Sequence, residues 1–214
     1  MGLTYAEYLA LLREAFSDQF LKALLQGVVT AHKAAPSHLN RSFDKPERHN
    51  LLGHIRRAKL NEEVIAIGER YKVKSDWKPY GRGSGYYVLV SSKRIFLVIC
   101  VVRSRRTMVR DAEYRRALAR YNESTQQKFA FMPDAPKVED TQHLCILIHG
   151  RRKGKDQPAF ADIAFPDKTF REWICRLDLF REFPALVNKL ILKPEVEALP
   201  KHRKGQREQK EHSA

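Results

Sequence analysis

Arginines are concentrated at two points of the sequence, and both groups could bind phosphate. The first group follows a long apolar run and continues into a predicted helix; its members are Arg103, Arg105, Arg106, Arg110, Arg115, Arg116 and Arg120. A planar guanidinium donates two parallel hydrogen bonds to one phosphate, so closely spaced arginines could contact successive phosphates of a nucleic acid. The alternative is an ordinary ion-paired helix face, because Glu113 lies three residues before Arg116.

The second basic group directly follows another apolar run, which ends at Gly150. It consists of Arg151, Arg152, Lys153 and Lys155. The two groups become neighbours only if the two apolar runs are strands that end at the same edge of the sheet. In that arrangement they would form one continuous anion-binding stripe, whose affinity would be independent of sequence and would fall with salt.

A short segment before the first apolar run combines aromatic, cationic and glycine residues. Within it, Tyr80 and Arg82 are candidates for stacking on unpaired bases, as aromatic platforms with adjacent arginines do in single-strand binding proteins. The alternative is that the glycines serve a turn and that Tyr86 or Tyr87 is half buried. No Gly-Lys-Ser/Thr follows, so the segment is not a nucleotide-binding P-loop.

Histidines are the remaining candidates for chemistry. A metal-independent ribonuclease needs a histidine that converges with a lysine, an arginine or a second histidine on one phosphate; the candidates are His32, His38, His49 and His54. His49 and His54 are five residues apart, which places them on different sides of a helix and disfavours a shared metal. His143 and His149 bracket an apolar strand and are predicted at its solvent-exposed ends.

The charge balance is strongly positive and favours a polyanionic partner. The chain has 40 Lys and Arg against 25 Asp and Glu, a formal net charge of +15. Nucleic acid is the preferred partner, and an acidic protein remains open. Three cysteines without CxxC spacing predict a reducing, intracellular (cytoplasmic) location. No signal-peptide pattern, membrane span, metal site or cofactor motif is predicted.

The first third of the chain is predicted to be helical. Thr4 and Glu7 have the spacing of a capping box and open a first helix, and a second helix starts after Ser17. Residues 31–40 are predicted to form a loop, because the apolar period lapses there and Pro36 interrupts it. A third helix begins near Pro46, and Asn61 is expected to cap a fourth that runs to Tyr71.

The remainder is predicted to build a sheet with accompanying helices. The apolar runs Tyr86–Val90 and Ile95–Val102 form a hairpin whose second strand is central, and the segments His143–His149 and Ala159–Phe165 form another. A helix over Met108–Tyr121 lies between them. Thr169 and Glu172 form a second capping box, which opens an amphipathic helix that Pro184 ends.

The order helix, strand, hairpin, helix, strand resembles the core of the restriction-endonuclease-like fold. That resemblance implies a metal site with an acidic residue on one hairpin strand and an Asp/Glu-x-Lys on the next. The strands Tyr86–Val90 and Ile95–Val102 contain no acidic residue. Their composition therefore argues against metal-dependent cleavage.

Together these patterns predict an α+β fold with an N-terminal helical region, a mainly antiparallel sheet of about four or five strands, and a C-terminal amphipathic helix. Residues 1–195 are expected to form a single domain, helical over 1–71 and sheet-containing over 72–195, followed by a flexible basic tail at 196–214. The predicted function is nucleic-acid binding through a basic surface without a recognisable catalytic site. Two alternatives stay open, a small nuclease or toxin-like enzyme and an inhibitor or assembly factor for an acidic protein.

Overall fold

A single six-stranded sheet forms the centre of the protein. The computed structural model describes residues 3–80, 85–110, 112–126, 142–151 and 156–192. The strands occur in chain order across the sheet and are β1 (Lys74–Pro79), β2 (Tyr86–Ser92), β3 (Ile95–Val101), β4 (His143–Arg151), β5 (Pro158–Pro166) and β6 (Trp173–Asp178). Helices accompany this sheet, so the predicted α+β class is confirmed, with six strands instead of four or five.

The pairing of β3 with β4 is parallel, whereas the other four neighbouring pairs are antiparallel. A parallel pair needs a crossover connection, and helix α4 (Glu113–Gln126) lies within it. Val101 pairs with His149, so β3 and β4 end on the same side of the sheet. We call this side, which lies at the C-terminal ends of these strands and not along an outer strand, the exit edge. β1 runs in the same direction as β3 and also ends there, because Pro79 pairs with the first residue of β2.

Three helices cover one face of the sheet: α1 (Tyr5–Ala15), α2 (Asp18–Ser42) and α3 (Lys45–Tyr71). The capping box of Thr4 and Glu7 forms, and Ser17 caps α2 by accepting a hydrogen bond from the Phe20 amide. Apolar side chains of α2 pack with inward-facing residues of the strands into one large core. This core stabilises the helices more than local propensity does, because burial of an amphipathic face supplies most helical stability in proteins.

Two predicted interruptions of these helices are wrong. Helix α2 continues through Pro36, since Ala31, Ala35 and Leu39 on either side of it are almost fully buried and hold the helix in place. Helix α3 passes through Asn61 without a break, and this asparagine is 5% exposed instead of capping a new helix. In both helices tertiary packing overrides the local breaker signal.

The opposite face of the sheet carries α4 and a second apolar core. Val98, Leu144, Ile146 and Ile148 contribute to this core from β3 and β4. The buried Asn122 side chain fastens α4 to the sheet, because its Nδ2 donates to the carbonyls of Leu144 and Pro166 at 3.1 and 2.9 Å and its Oδ1 accepts the Leu144 amide at 2.6 Å. The protein is therefore layered as helices, sheet and helix.

The predicted C-terminal amphipathic helix is wrong, because its residues form β6 instead. The carboxylate of Asp167 accepts hydrogen bonds from the amides of Thr169, Arg171 and Glu172, which closes a turn where a helix start was expected. β6 then pairs with β5, and Cys175 and Leu177 are buried in alternation. Up to residue 192, where the described part of the chain ends, only short helical segments follow: α5 (Leu179–Glu182), α6 (Pro184–Val187) and a π-helical turn (Asn188–Leu192).

Candidate nucleic-acid interface

The parallel pairing of β3 and β4 brings Arg103 and Arg151, one from each predicted basic group, to the same side of the molecule. Arg103 follows β3 by two residues, and Arg151 is the last residue of β4. Both of these side chains are exposed, as are those of Arg106 and Arg110. We define these four arginines as the basic rim. Their shared edge is the condition under which the sequence predicted a continuous anion-binding stripe.

Arg105 differs from the rim arginines because it is already paired inside the protein. Its Nη2 lies 2.8 Å from Asp162 Oδ1 and 2.8 Å from Asp178 Oδ2. Asp162 is 1% exposed, and burial raises the pKa of its carboxyl while the guanidinium opposes that rise. The guanidinium also lies over the Phe160 ring at 5.6 Å. Two carboxylates therefore occupy Arg105, which argues against its predicted role in phosphate binding.

Most of the other residues predicted to bind nucleic acid lie outside the described residues. Arg116 is exposed on α4. The side chain of Arg120 lies outside the described residues, and so do Arg82, Arg152, Lys153, Lys155 and the basic tail at 196–214. Their assignments stay predictions.

A cavity of about 310 Å³ opens beside the basic rim. It lies between α3, the end of β3 and the start of α4, and three arginines line it, from α3, from α4 and from the loop that precedes α4. We call it the arginine pocket and define it by Arg57, Tyr80, Arg110, Tyr114, Arg115 and His54. None of the described residues that line it is acidic, so its charge is positive.

The α3 side of the pocket is built by residues three and four positions apart. Asn50, Gly53, His54 and Arg57 therefore lie along one face of the helix. Arg57 Nη1 donates a hydrogen bond to the Tyr80 hydroxyl at 3.1 Å, and its guanidinium carbon lies 5.9 Å from the centre of that ring. This contact joins α3 to the end of β1.

A cluster of three tyrosine rings contributes two residues, Tyr80 and Tyr114, to the lining of the arginine pocket. The rings of Tyr87 and Tyr114 stack with centroids 4.1 Å apart, and Tyr80 stacks on Tyr87 at 5.6 Å. The Arg115 guanidinium carbon lies 5.2 Å from the centre of the Tyr114 ring. Burial raises the pKa of the Tyr114 hydroxyl, so this phenol is neutral at physiological pH. The predicted stacking residue Tyr80 thus belongs to an aromatic cluster with two adjacent guanidinium groups.

A buried polar cluster lies on the α2–α3 face near the end of β4. His32 Nε2 and His149 Nδ1 share a hydrogen bond of 2.9 Å, and both residues are 0% exposed. Arg56 is 4% exposed, and its Nη2 lies 3.8 Å from the exposed Asp156 carboxylate. Burial, followed by the influence of Arg56, lowers the pKa of His149 to about 4. For His32, burial, then His149 and then Arg56 lower the pKa to about 2.

The predicted solvent-exposed positions of His143 and His149 are wrong, because these residues are only 1% and 0% exposed. Their strand β4 is covered by helices on both faces, which the sequence could not show. The four ribonuclease candidates also do not form one group. His32 is buried, His38 and His49 are exposed, and only His54 lines the arginine pocket. Among the described residues, no group of three or more His, Cys, Asp or Glu side chains could hold a metal ion.

Sequence analysis missed Arg57 and Tyr114 as site residues, and it placed Arg115 in the first basic group without predicting a pocket. The spacing of Asn50, His54 and Arg57 was a usable signal for one polar helix face. The partner surfaces come from β1 and α4, however, and Arg57 and Tyr80 are 23 residues apart. No local pattern predicts that contact.

Comparison of the chain with protein-family models, with curated proteins and with solved structures finds no match. Among the described residues, no helix is long and apolar enough to cross a membrane.

Proposed function

We propose that this protein binds nucleic acid along the exit edge, through the basic rim. The observation that carries the proposal is the parallel β3–β4 pair, which collects the two basic segments at one edge. Exposed arginines at one edge attract a phosphate backbone without selecting its sequence, and each phosphate contact releases counterions. The formal net charge of +15 adds long-range attraction to the same polyanion.

The test is a charge reversal at the basic rim with a matched reversal at the opposite edge. The rim variant combines Arg103→Glu, Arg106→Glu and Arg151→Glu. The control combines Arg70→Glu, Lys72→Glu and Lys74→Glu, three exposed cations at the C-terminus of α3 and the start of β1. Both variants change the net charge equally, so a difference between them reports position and not total charge.

Binding of fluorescent single-stranded and double-stranded oligonucleotides is measured by anisotropy at several salt concentrations. We expect the wild type to lose affinity with a log–log salt slope of about −2.7 to −3.6 on double-stranded and about −2.1 to −2.8 on single-stranded oligonucleotides, as three to four neutralised phosphates predict. The rim variant should lose at least tenfold in affinity and most of that slope, whereas the control should lose less than threefold. Equal losses in the two variants would refute the proposed surface. Negligible binding of the wild type at low salt would instead favour the acidic protein partner.

A second candidate function, metal-independent cleavage of RNA, rests on the position of His54. This histidine lines the arginine pocket together with Arg57, Arg110 and Arg115, and a histidine beside guanidinium groups can move a proton while the charges stabilise a phosphorane-like transition state. Cleavage of RNA in the presence of a chelator should be abolished by His54→Ala and retained by His49→Ala, which removes an exposed histidine of the same helix. Activity that survives His54→Ala excludes this function.

We also infer that the protein acts inside the cell. The three cysteines, Cys100, Cys145 and Cys175, are free and buried. Free thiols in apolar surroundings are typical of a reducing compartment. An intracellular location would also give the basic rim access to nucleic acid.

A further inference from the structure

We propose that the arginine pocket binds one nucleotide, with the phosphate on its guanidinium groups and the base beside its tyrosines. The nucleotide is either a free nucleoside monophosphate or the phosphorylated end of a strand that lies along the exit edge. The second source rests on the function proposed above, whereas the first does not.

The charges of the arginine pocket favour a phosphate. Arg57, Arg110 and Arg115 line it, and none of the described lining residues is acidic. Arg57 from α3 and Arg115 from α4 line this cavity together with the buried Cys100 of β3. Arg115 Nε is buried and has no hydrogen-bond partner among the described residues, although the Arg115 side chain also interacts with the Tyr114 hydroxyl. Positive charges that line one cavity repel one another, and a phosphate would relieve that repulsion and supply an acceptor for this Nε.

The shape of the arginine pocket favours a ligand that also has a flat ring. The rings of Tyr80 and Tyr114 line it, with centroids 5.2 Å apart. Aromatic side chains next to arginines bind bases by stacking, without selecting one base. The volume of about 310 Å³ is at the lower end of the range of small-molecule sites. The pocket therefore has room for one nucleotide and not for a folded segment of nucleic acid.

Gly53 provides a way to close the pocket without changing its charge. It lies on the pocket-lining face of α3, and a Cβ added there meets no atom within 4 Å. Gly53→Leu therefore fills open space, and it replaces a poor helix former by a good one. Ala66→Leu is the matched control, because Ala66 is exposed and lies on the same helix.

The first experiment measures binding of adenosine monophosphate, adenosine and inorganic phosphate by titration calorimetry. We expect adenosine monophosphate to bind at least tenfold more tightly than either fragment. Gly53→Leu and Arg57→Met should each weaken its binding at least tenfold, whereas Ala66→Leu and Arg70→Met should change it less than twofold. Thermal unfolding confirms that each variant is folded. Equal binding by wild type and Gly53→Leu would overturn the assignment.

The second experiment identifies the source of the nucleotide. A short single-stranded oligonucleotide is compared with and without a 5′ or 3′ phosphate, on wild type and on Gly53→Leu. A terminal phosphate that raises affinity at least fivefold in the wild type only would identify a strand end. Binding of adenosine monophosphate without this gain would identify a free nucleotide.

Absence of both effects would overturn the pocket proposal. Binding of the unphosphorylated oligonucleotide depends on the basic rim and serves as the separate measure of the proposed function. If the unphosphorylated oligonucleotide still binds while both pocket effects are absent, only the proposed nucleotide site is refuted. If this oligonucleotide does not bind while adenosine monophosphate does, only the proposed function of the basic rim is refuted.

Discussion

Three buried histidines should make the protein lose stability between pH 7 and pH 5. His32, His143 and His149 are 0%, 1% and 0% exposed. Burial is the largest cause that lowers the pKa of each one, to about 2 for His32 and to about 4 for the other two. Nearby cations act in the same direction, with Arg56 beside the His32–His149 pair and Arg94 near His143.

The direction of the stability change follows from proton uptake by the folded and the unfolded states. The unfolded chain takes up protons on these histidines below a pKa of about 6.5, whereas the folded protein does not until about pH 4. Falling pH therefore favours the unfolded state. Each histidine costs about 2 kcal/mol between pH 7 and pH 5, so the three together cost about 6 kcal/mol. That sum is comparable to the whole free energy of unfolding of a typical domain.

The assay is urea unfolding followed by circular dichroism at pH 5, 6 and 7. His149→Gln should flatten the pH dependence by about 2 kcal/mol over this range, because it removes one buried titrating group. It also removes the hydrogen bond to His32, so the slope against pH is the informative quantity and the stability at pH 7 is not. His38→Gln, an exposed histidine of α2, is the control and should leave the slope unchanged. A wild type equally stable at pH 5 and pH 7 would refute this reasoning.

Three further substitutions test the packing around the exit edge by urea unfolding at pH 7. Arg105→Met leaves the buried Asp162 carboxylate without its guanidinium and should cost about 2–3 kcal/mol, below the value for a fully buried pair because Arg105 is 37% exposed. Gly150→Ala places a Cβ 2.5 Å from the Phe160 ring and should cost about 1–3 kcal/mol. Asn122→Ala removes three hydrogen bonds to buried backbone groups and should cost at least about 2 kcal/mol. If a substitution lowers the free energy of unfolding by less than about 0.5 kcal/mol, the contact that it removes or disturbs does not stabilise the fold as expected.

Sequence patterns predicted the central strands because their signal is strong and local. The two-sided apolar runs that form β3 and β4 correspond to strands with almost wholly buried residues, as burial between two layers requires. β6 was misassigned because Phe170, Trp173, Ile174 and Leu177 also fit a helical period. A run this short satisfies both periods. The segment forms a strand because the turn at Asp167 prevents a helix start and because the backbone of β5 pairs with it.

The sequence predicts which types of residue form the candidate interface, but not which individual residues are available to bind a ligand. Closely spaced arginines are visible in the sequence, but the sequence does not show which of them have carboxylate partners. Arg105 meets Asp162 from 57 residues away, whereas its neighbours Arg103 and Arg106 are exposed. The arginine pocket was missed for the same reason, since its walls come from three separate elements. Long-range pairing, which patterns do not encode, separates the carboxylate-paired Arg105 from the exposed arginines that we propose to bind phosphate.

This division of roles explains how an exposed loop can present the basic rim in a defined position. The side chain of Arg105 is fixed by Asp162 and Asp178, and its carbonyl accepts a hydrogen bond of 2.6 Å from Arg176 Nη1. Both contacts attach the loop after β3 to β5 and β6. Under the proposed function, Arg103 and Arg106 on either side would therefore lose less conformational entropy on binding phosphate. Arg105 would then contribute to binding by holding its exposed neighbours and not by contacting phosphate, which is why a phosphate contact cannot be assigned from arginine density alone.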